Sequence, residues 1–201
     1  GDRVDAAHRL QRIDDRGDGL RVLQVATGYI ASSALHVAVA LNVADHLAGG
    51  PKTAEDLATA TDTQADGLYR ILRLLASVGI FREVGPRRFG LTPTAEMLRS
   101  DVAGSIRGMA LFLPDPMHFR VYANLMHSVR TGQPAVETTL GMPLFDYLAQ
   151  HPDASKVFND AMTALSAPVA GAAIDAYDFG RYPVIVDVAG GPGEGWMAIL
   201  K

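Results

Sequence analysis

The glycine-rich stretch at residues 184–195 has more chemical content than any other part of this chain. It reads VIVDVAGGPGEG, and four of its first five residues are β-branched aliphatics. That run predicts a strand buried on both faces, as in a parallel sheet, followed by a glycine turn and the start of a helix. These elements form the opening of a nucleotide-binding βαβ unit, in which missing side chains let a ligand lie against the backbone.

Few other residues have the types and spacing of a catalytic or metal-binding site. The chain has no cysteine, which removes disulfides, thiolate nucleophiles and thiolate metal sites. No His-Glu-x-x-His motif is present. The histidines at positions 36, 46, 118, 127 and 151 are not paired at the spacing that metal ligands need. Asp115 and His118, three residues apart, could share a helix face. We expect these histidines to be structural or solvated, and we predict no metal site.

Composition limits the class of protein. The 201 residues include 18 basic and 22 acidic ones, a formal net charge of −4, and 48% are hydrophobic. Binding to a nucleic-acid backbone needs clustered positive charge, so this balance argues against such a partner. Residues 1–18 lack the apolar segment of a signal peptide. Polar residues interrupt the most apolar stretch, 22–43, so we predict no membrane span and a soluble, cytoplasmic protein.

The N-terminal part is expected to be helical. Residues 3–16 have the character of a short charged helix that ends near Gly17 and Gly19. Residues 20–41 also read as a helix, but apolar residues lie on more than one of its faces. Because a helix that is apolar all round is buried all round, we expect a second subunit to cover residues 20–41.

The order of elements in residues 42–91 predicts a winged helix. They are a helix at 42–47, a helix that begins at the capping-box pair Thr53 and Asp56, a helix at 65–78 closed by Gly79, and a β-hairpin at 81–91.

The remaining chain is predicted to be helical up to the glycine-rich stretch. The expected helices are 92–99, 105–113, 117–130, 144–150 and 153–176, with residues 132–141 as a loop. The sequence therefore predicts two domains. Residues 1–178 form a helical domain with a candidate dimer interface, and residues 179–201 begin an α/β domain.

Six segments of the sequence, taken together and in their order along the chain, point to a protein family. They are TAEDLA at 53–58, LYRILRLLASVG at 68–79, FGLT at 89–92, GMPLF at 141–145, VFNDAM at 157–162 and VDVAGGPG at 186–193. In this order they resemble the small-molecule O-methyltransferases that use S-adenosylmethionine (SAM). The similarity is greatest to the bacterial natural-product branch, which shares its architecture with plant caffeate-type enzymes. It covers nearly the whole chain from about residue 20.

The resemblance implies a mainly α fold and a methyl-transfer function. A helical domain with a winged-helix core and a small β-hairpin, residues 1–178, would form a homodimer and cover the substrate. The first strand and turn of a Rossmann-like, SAM-binding domain would follow in residues 179–201. The reaction would move the methyl group of SAM to a hydroxyl or carboxyl oxygen of a small aromatic acceptor, with a histidine as general base. In the family that histidine and the acidic residue that holds the ribose lie beyond residue 201. We therefore assign no catalytic residue to this chain, and we expect it to be inactive by itself.

The resemblance also assigns binding residues. For the cofactor they are Ser166, Asp187, Ala189, Gly190, Gly191 and Gly193. For the acceptor they are Phe112, Leu113, Leu144, Phe158 and Met162, although ordinary core packing is an equal alternative for Phe158 and Met162. Glu194 fits SAM better than a dinucleotide, because a carboxylate at a helix N-terminus competes with a bound pyrophosphate.

Ala189 departs from the family pattern, which has glycine at this position. Its Cβ either strains the backbone, by about 1–2 kcal/mol if φ is positive, or projects toward the cofactor. Pro192 also removes an N–H donor from the turn. We therefore expect this chain to bind SAM weakly or not at all.

Other functions stay open. A non-catalytic family member would dimerise without transferring methyl groups, and a repurposed one would act as a decarboxylase or hydroxylase. A winged-helix DNA-binding regulator is suggested by the arginines at positions 70, 73, 82, 87 and 88. The second helix of the winged helix is mostly Leu and Ile, however, whereas a recognition helix needs polar side chains that reach base edges.

Overall fold

The structure is a computed structural model that describes the backbone of residues 2–186 and the side chains of residues 19–186. Within this range the chain is mainly helical, as the sequence predicts, and contains one three-stranded antiparallel sheet. The helices are α1 (Asp2–Ala40), α2 (Val43–His46), α3 (Ala54–Thr61), α4 (Ala65–Ser77), α5 (Pro93–Glu96), α6 (Arg107–Phe112), α7 (Pro116–Ala123), α8 (Leu125–Thr131), α9 (Ala135–Leu140), α10 (Leu144–Gln150) and α11 (Pro152–Ala176). The strands are β1 (Lys52–Thr53), β2 (Phe81–Gly85) and β3 (Arg88–Leu91).

The long first helix differs from the sequence prediction. The break expected near Gly17 and Gly19 is wrong, because α1 runs without interruption from Asp2 to Ala40. A glycine inside a helix costs only about 1 kcal/mol relative to alanine, which does not by itself end a helix. Every residue from 19 to 30 is exposed, whereas Ala34, Ala38 and Val39 near the C-terminal end are buried in the core.

Two helical segments are long and apolar enough to cross a membrane, judged by length and composition alone. They are Gly19–Ala40 and Pro152–Ala176. Core helices of soluble proteins pass the same test, and polar residues such as Thr27, Ser32 and Ser33 occur in the first segment. These two segments are therefore weak evidence for a membrane protein.

The winged helix is confirmed, and its first helix begins as predicted. The Asp56 N–H donates to the Thr53 hydroxyl over 3.1 Å, and the Thr53 N–H donates to the Asp56 carboxylate over 3.3 Å. This capping box satisfies backbone donors at the start of α3. Gly79 follows α4 with φ of 81°, a left-handed conformation that suits glycine.

The sheet contains one strand more than the predicted hairpin. β3 lies in the middle, with β2 on one side and the two-residue β1 on the other, and Lys52 pairs with Phe89. β1 is too short to leave a periodic signal in the sequence. Phe81 and Phe89 point from the sheet into the core, where both are buried.

The core lies between α1, α2, α3, α4 and the sheet. α4 contributes Leu68, Leu72 and Leu75, all buried, at the spacing of one helix face. This burial explains why the second helix of the winged helix is rich in leucine. The core extends to Ala95, Leu98 and Ala110 in the segment that follows the sheet.

The helices after the sheet were predicted less accurately. The single helix expected at 117–130 is divided at Asn124 into α7 and α8, and the N–H of Asn124 bonds the Val121 carbonyl in a tight turn. The loop expected at 132–141 contains α9, which begins after Pro134 and ends at Gly141 with φ of 79°. In contrast, α10 matches its predicted bounds, and α11 begins one residue earlier than predicted and carries Pro168 in its interior.

The strand predicted to begin at Val184 is not observed in the described residues. Residues 184–186 have no strand pairing, and the side chains of Val184 and Val186 are 74% and 75% exposed. A strand exists only when hydrogen-bonded to a neighbour, and no neighbouring strand lies beside these residues in the described part of the chain. The glycine turn itself, from residue 187 onward, lies outside the described residues.

Candidate functional site

The close approach of α6 and α11 forms the frame of the candidate site. A Cβ at Gly108 of α6 would lie 2.7 Å from the carbonyl oxygen of Asp160 on α11 and 3.0 Å from the backbone nitrogen of Ala161. Ala161 is fully buried at this contact. The two helices therefore pack backbone against backbone, which brings the larger side chains around the contact together.

Five side chains with aromatic rings, from four helices, contact one another in a line, and we call them the aromatic row. They are Phe112 of α6, His118 and Tyr122 of α7, Phe145 of α10 and Phe158 of α11. The ring centres of Phe112 and His118 are 4.0 Å apart, edge to face, and those of Phe112 and Phe158 are 5.5 Å apart. His118 stacks on Tyr122 at 6.3 Å, and Phe145 meets Phe158 edge-on at 6.1 Å.

The aromatic row extends from the interior to the surface. Phe112 is buried, His118 and Phe158 are half-buried, and Tyr122 and Phe145 are 56% and 72% exposed. Aromatic rings present flat apolar faces and polarised edges, so such a row can hold a planar ring by stacking and edge contacts. The row is therefore a candidate binding surface, since contiguous apolar patches that reach the surface often mark ligand sites.

His118 is the polar member of the aromatic row. Burial lowers the pKa of its imidazole below the ordinary value, while the nearby Asp115 carboxylate and the Phe112 carbonyl act in the opposite direction. Its Nδ1 atom is sealed from solvent by the surrounding protein atoms. Asp115 caps α7 by accepting from the Met117 N–H over 2.7 Å. Burial therefore favours the uncharged form of this imidazole.

The structure brings together only some of the predicted acceptor residues. Phe112 and Phe158 are in direct ring contact, and Met162 lies one helical turn beyond Phe158, half-buried. Leu144 is half-buried at the start of α10, next to Phe145. Leu113 ends α6 and is 52% exposed. The choice between an acceptor pocket and plain core packing therefore stays a prediction for these residues.

Sequence reasoning missed His118, Tyr122 and Phe145 as members of this cluster. His118 was expected to be structural or solvated because the histidines are not paired at metal-ligand spacing. One signal was present in the sequence. His118 and Tyr122 are four residues apart and so share a helix face.

A groove of about 950 Å³ opens between α6 and α11. Its charged residues are Arg107, Lys156 and Asp160. Lys156 is paired with Asp160 over 2.6 Å, and the Arg107 Nη2 donates to the side-chain oxygen of Asn42 over 2.5 Å. Nη1 of Arg107 is buried without a partner in the described residues. The groove is more polar than the aromatic row, so the row is the better surface for an aromatic molecule.

Of the six residues predicted to hold the cofactor, the structure describes one. Ser166 is exposed on α11, one turn after Met162, and its hydroxyl makes a long 3.4 Å hydrogen bond to the Thr163 carbonyl. Such a hydroxyl is readily redirected to a ligand, so Ser166 fits a polar cofactor group. Asp187, Ala189, Gly190, Gly191 and Gly193 lie outside the described residues. No group of three metal-ligating side chains occurs among residues 19–186.

Two protein-family models match the chain. The O-methyltransferase dimerisation domain matches residues 23–101, and the O-methyltransferase domain matches residues 122–201. The chain belongs to the O-methyltransferase family. Members of this family are SAM-dependent methyltransferases.

Two curated relatives show what the chain is similar to. Phenazine O-methyltransferase PhzM of Lysobacter antibioticus is 41% identical over 180 residues, which are 90% of this chain and 52% of that protein. The mitomycin biosynthesis 6-O-methyltransferase of Streptomyces lavendulae is 37% identical over 180 residues, which are 89% of this chain and 52% of that protein. The chain therefore spans about half the length of the curated relatives it matches.

Solved structures give the same result. The crystal structure of LaPhzM matches with a TM-score of 0.84 at 41% identity, over 90% of this chain and 55% of that one. The mitomycin 7-O-methyltransferase MmcR matches with a TM-score of 0.85 at 34% identity, over 94% of this chain and 56% of that one. CalO1, in an SAH-bound form, matches with a TM-score of 0.76 at 33% identity, over 92% of this chain and 55% of that one.

Proposed function

We propose that this protein, completed to the length of its relatives, transfers a methyl group from SAM to an oxygen of a small aromatic acceptor. The observation that carries the proposal is the aromatic row, an apolar surface that is built by four helices and reaches the protein surface. In this reading the chain supplies the dimerisation domain and one wall of the acceptor site, and the catalytic base lies outside it.

The residues of this chain act by positioning. When bound, SAM supplies an electrophilic methyl group on a positively charged sulfonium. Phe112 and Phe158 hold the acceptor ring in one orientation, and their apolar surface keeps water from the reacting oxygen. Because the two reactants are already held in line, the reaction does not have to overcome the entropy cost of bringing them together. This lowers the activation barrier by several kcal/mol. We assign the binding of SAM to Ser166 and to the predicted glycine turn.

The homodimer is part of the proposal. The exposed segment of α1 carries Leu20, Val22, Leu23 and Val25, each between 59% and 84% exposed. Exposing so many large apolar side chains on one helix is unfavourable in water, and a second copy would cover them. The match of residues 23–101 to a dimerisation domain supports this assignment. We further propose a soluble, cytoplasmic protein.

The test is a methylation assay on the full-length protein with SAM and a panel of hydroxylated aromatic compounds. Mass spectrometry is expected to show acceptors heavier by one methyl group, together with S-adenosylhomocysteine in equal amount. Phe158→Ala should lower kcat/KM by roughly tenfold, about 1.4 kcal/mol, because it removes the ring that contacts both Phe112 and Phe145. Phe179→Ala is the matched control, since Phe179 contacts Tyr177 outside the row.

Two results would contradict the proposal. Consumption of an acceptor without S-adenosylhomocysteine would indicate a repurposed decarboxylase or hydroxylase. No turnover with any acceptor, in a protein that forms a dimer, would indicate a non-catalytic member. Calorimetric titration separately tests the expectation that the 201-residue chain binds SAM weakly. Micromolar binding to this chain would refute that expectation.

A nitrogen acceptor is the second candidate. Two relatives are named for N-methylation, the 8-amino-8-demethylriboflavin N,N-dimethyltransferase of Streptomyces davaonensis and the phenazine-1-carboxylate N-methyltransferase of Pseudomonas aeruginosa. Stacking on an aromatic row does not distinguish an oxygen from a nitrogen on the bound ring. Including aminated compounds in the panel separates the two candidates by the site of the new methyl group.

DNA binding receives less support. Arg87 forms ion pairs with Glu55 at 2.6 Å and Asp66 at 3.0 Å and lies 4.4 Å from the ring centre of Tyr69. Arg88 donates to the Pro51 carbonyl over 2.7 Å. Two of the five arginines that suggested a DNA contact are therefore engaged within the protein.

A further inference from the structure

Helix α6 is the element that the aromatic row and the groove share. It carries Phe112 of the row, and through Gly108 and Leu111 it lines the groove beside α11. With six residues it is too short to be a stable helix alone, so contacts with other elements must fix its position. The placement of α6 therefore decides the shape of both surfaces.

The C-terminal end of α6 is held by a side chain from α1. The last four carbonyl groups of a helix have no partner within the helix, so other groups must bond them. The Asp115 N–H bonds the Phe112 carbonyl over 3.2 Å. The Leu111 carbonyl oxygen lies 3.0 Å from Nδ1 of His36, which is 75 residues away in the chain and part-buried. Because a carbonyl oxygen can only accept, the His36 imidazole carries a proton on Nδ1 and donates it.

We propose that His36 is a positioning residue for methyl transfer, which fixes the end of α6 through the Leu111 carbonyl and so orients the ring of Phe112. The inference rests on the proposed function, because it assigns α6 to the wall of the acceptor site. Leu111 directly precedes Phe112, so a rotation of α6 about its axis would move that ring relative to Phe158. His36 acts through α6 rather than by touching the acceptor.

The contacts between α1 and α6 favour positioning over simple packing. Leu35 of α1 and Leu111 of α6 both pack against the core, and apolar contacts of this kind are non-directional. A hydrogen bond to one carbonyl is directional and therefore fixes the rotation of the helix. At the other end of α6, Nη2 of Arg107 donates to the side-chain oxygen of Asn42, just after α1, over 2.5 Å. Both ends of α6 are thus joined by polar contacts to the region of α1 and α2.

Two variants of the full-length protein test the hydrogen bond of His36. His36→Leu keeps an apolar side chain of similar size and removes the donor. It is expected to raise KM for the acceptor about fivefold, as the loss of one neutral hydrogen bond provides, and to leave kcat, the KM for SAM and the dimer unchanged. His36→Asn places an amide N–H near the position of Nδ1 and should return KM toward the wild-type value.

His151→Leu is the matched control. His151 also places Nδ1 against a carbonyl in the last turn of a helix, that of Tyr147 in α10, over 2.8 Å. Both leucine variants remove a hydrogen bond at a helix end, so both should lower the melting temperature. Only His36→Leu should raise KM, and this difference separates positioning from a general loss of stability.

NMR spectroscopy of the same proteins gives a readout that needs no turnover. In protein with ¹⁵N-labelled histidine, His36 should carry its proton on Nδ1. In protein with ¹³C-labelled phenylalanine, the ring signals of Phe112 report its position against the Phe158 ring, whose centre lies 5.5 Å away. These signals should shift in His36→Leu, return in His36→Asn and stay unchanged in His151→Leu.

Four outcomes would overturn the inference. They are an uncharged His36 with its proton on Nε2, unmoved Phe112 signals in His36→Leu, an unchanged KM in an active His36→Leu protein, or an equal rise of KM in His36→Leu and either His36→Asn or His151→Leu. A wild-type protein that transfers no methyl group would instead reject the proposed function. The expected pattern of Phe112 signals in that protein would still support the role of His36 in placing α6.

Discussion

Gly108 shows how one residue sets the distance between two helices. An added Cβ would lie 2.7 Å from the Asp160 carbonyl oxygen, and backbone cannot move aside as a flexible side chain can. Gly108→Ala should therefore destabilise the protein by about 1–3 kcal/mol, the usual cost of overpacking. Chemical denaturation by urea measures this as a lower midpoint at an unchanged slope.

Gly67 provides the control for Gly108. It lies inside α4, and the nearest atom to an added Cβ there is the Cβ of Gln64 at 3.9 Å. Gly67→Ala should leave stability unchanged or raise it by up to about 1 kcal/mol, because alanine loses less backbone entropy on folding. Equal effects of the two substitutions would contradict the close contact between α6 and α11.

The capping box makes a prediction about the charge of Asp56. Hydrogen bonds from the Thr53 hydroxyl and then from its backbone N–H lower the pKa of the Asp56 carboxyl below its ordinary value. The stabilisation is therefore fully present above the ordinary pKa and is lost as the pH falls through the lowered one. Thr53→Ala should return the pKa of Asp56 toward its ordinary value, as followed by NMR titration of the carboxyl carbon.

Thr59→Ala is the control for that titration. The Thr59 hydroxyl donates to the Glu55 carbonyl inside α3 and makes no hydrogen bond to Asp56. The pKa of Asp56 should not change in this variant. A similar shift in both variants would mean that helix stability in general, rather than the Thr53 contact, sets the pKa.

Residue-level features were predictable from the sequence where they depend on neighbours along the chain. The pairing of Thr53 with Asp56 is local and follows from their spacing. The position of His118 in the aromatic row was not predictable, because its surroundings are assembled from α6 and α7, and the row continues to α10 and α11. Its sequence neighbours give no sign of the buried nitrogen or of the lowered pKa.

At the level of elements, α1 is expected to hold the dimer together. Val25 is 84% exposed in the segment where every residue is exposed. Val25→Asp would place a charge in the proposed interface, where removal from water is costly. We expect the full-length protein to change from dimer to monomer in light scattering after size-exclusion chromatography.

Val129 offers a matched comparison for Val25. It is 80% exposed on α8, away from α1. Val129→Asp should leave the dimer intact, since the proposed interface does not include α8. A dimer that persists in Val25→Asp at the same protein concentration would reject α1 as the interface.

Elements with strong amphipathic periodicity were predicted well. α4 matched closely because its apolar residues repeat at helical spacing. Gly17 and Gly19 were interpreted as a break, yet both lie inside α1. Gly132 does end α8 and Pro134 does precede α9, but the residues between Pro134 and Gly141 form a helix where a loop was predicted. β1 has two residues and is defined only by pairing with β3, which no local pattern reveals.

At the level of the whole molecule, the proposed acceptor site makes a prediction about Met162. Met162→Ala in the full-length enzyme should raise KM for the acceptor, because Met162 lies one turn from Phe158 on α11. Leu165, 58% exposed on the same helix, gives the control Leu165→Ala, for which we expect an unchanged KM. An unchanged KM for Met162→Ala with a lower melting temperature would favour core packing instead.

Pro168 affects how the two parts of the molecule are joined. Proline has no N–H, so the carbonyl of Ala164 lacks its usual partner inside α11. Bending the helix at this point breaks no further hydrogen bond, which is why prolines are common sites of helix kinks. The last part of α11, up to Ala176, therefore resists bending less than an uninterrupted helix would.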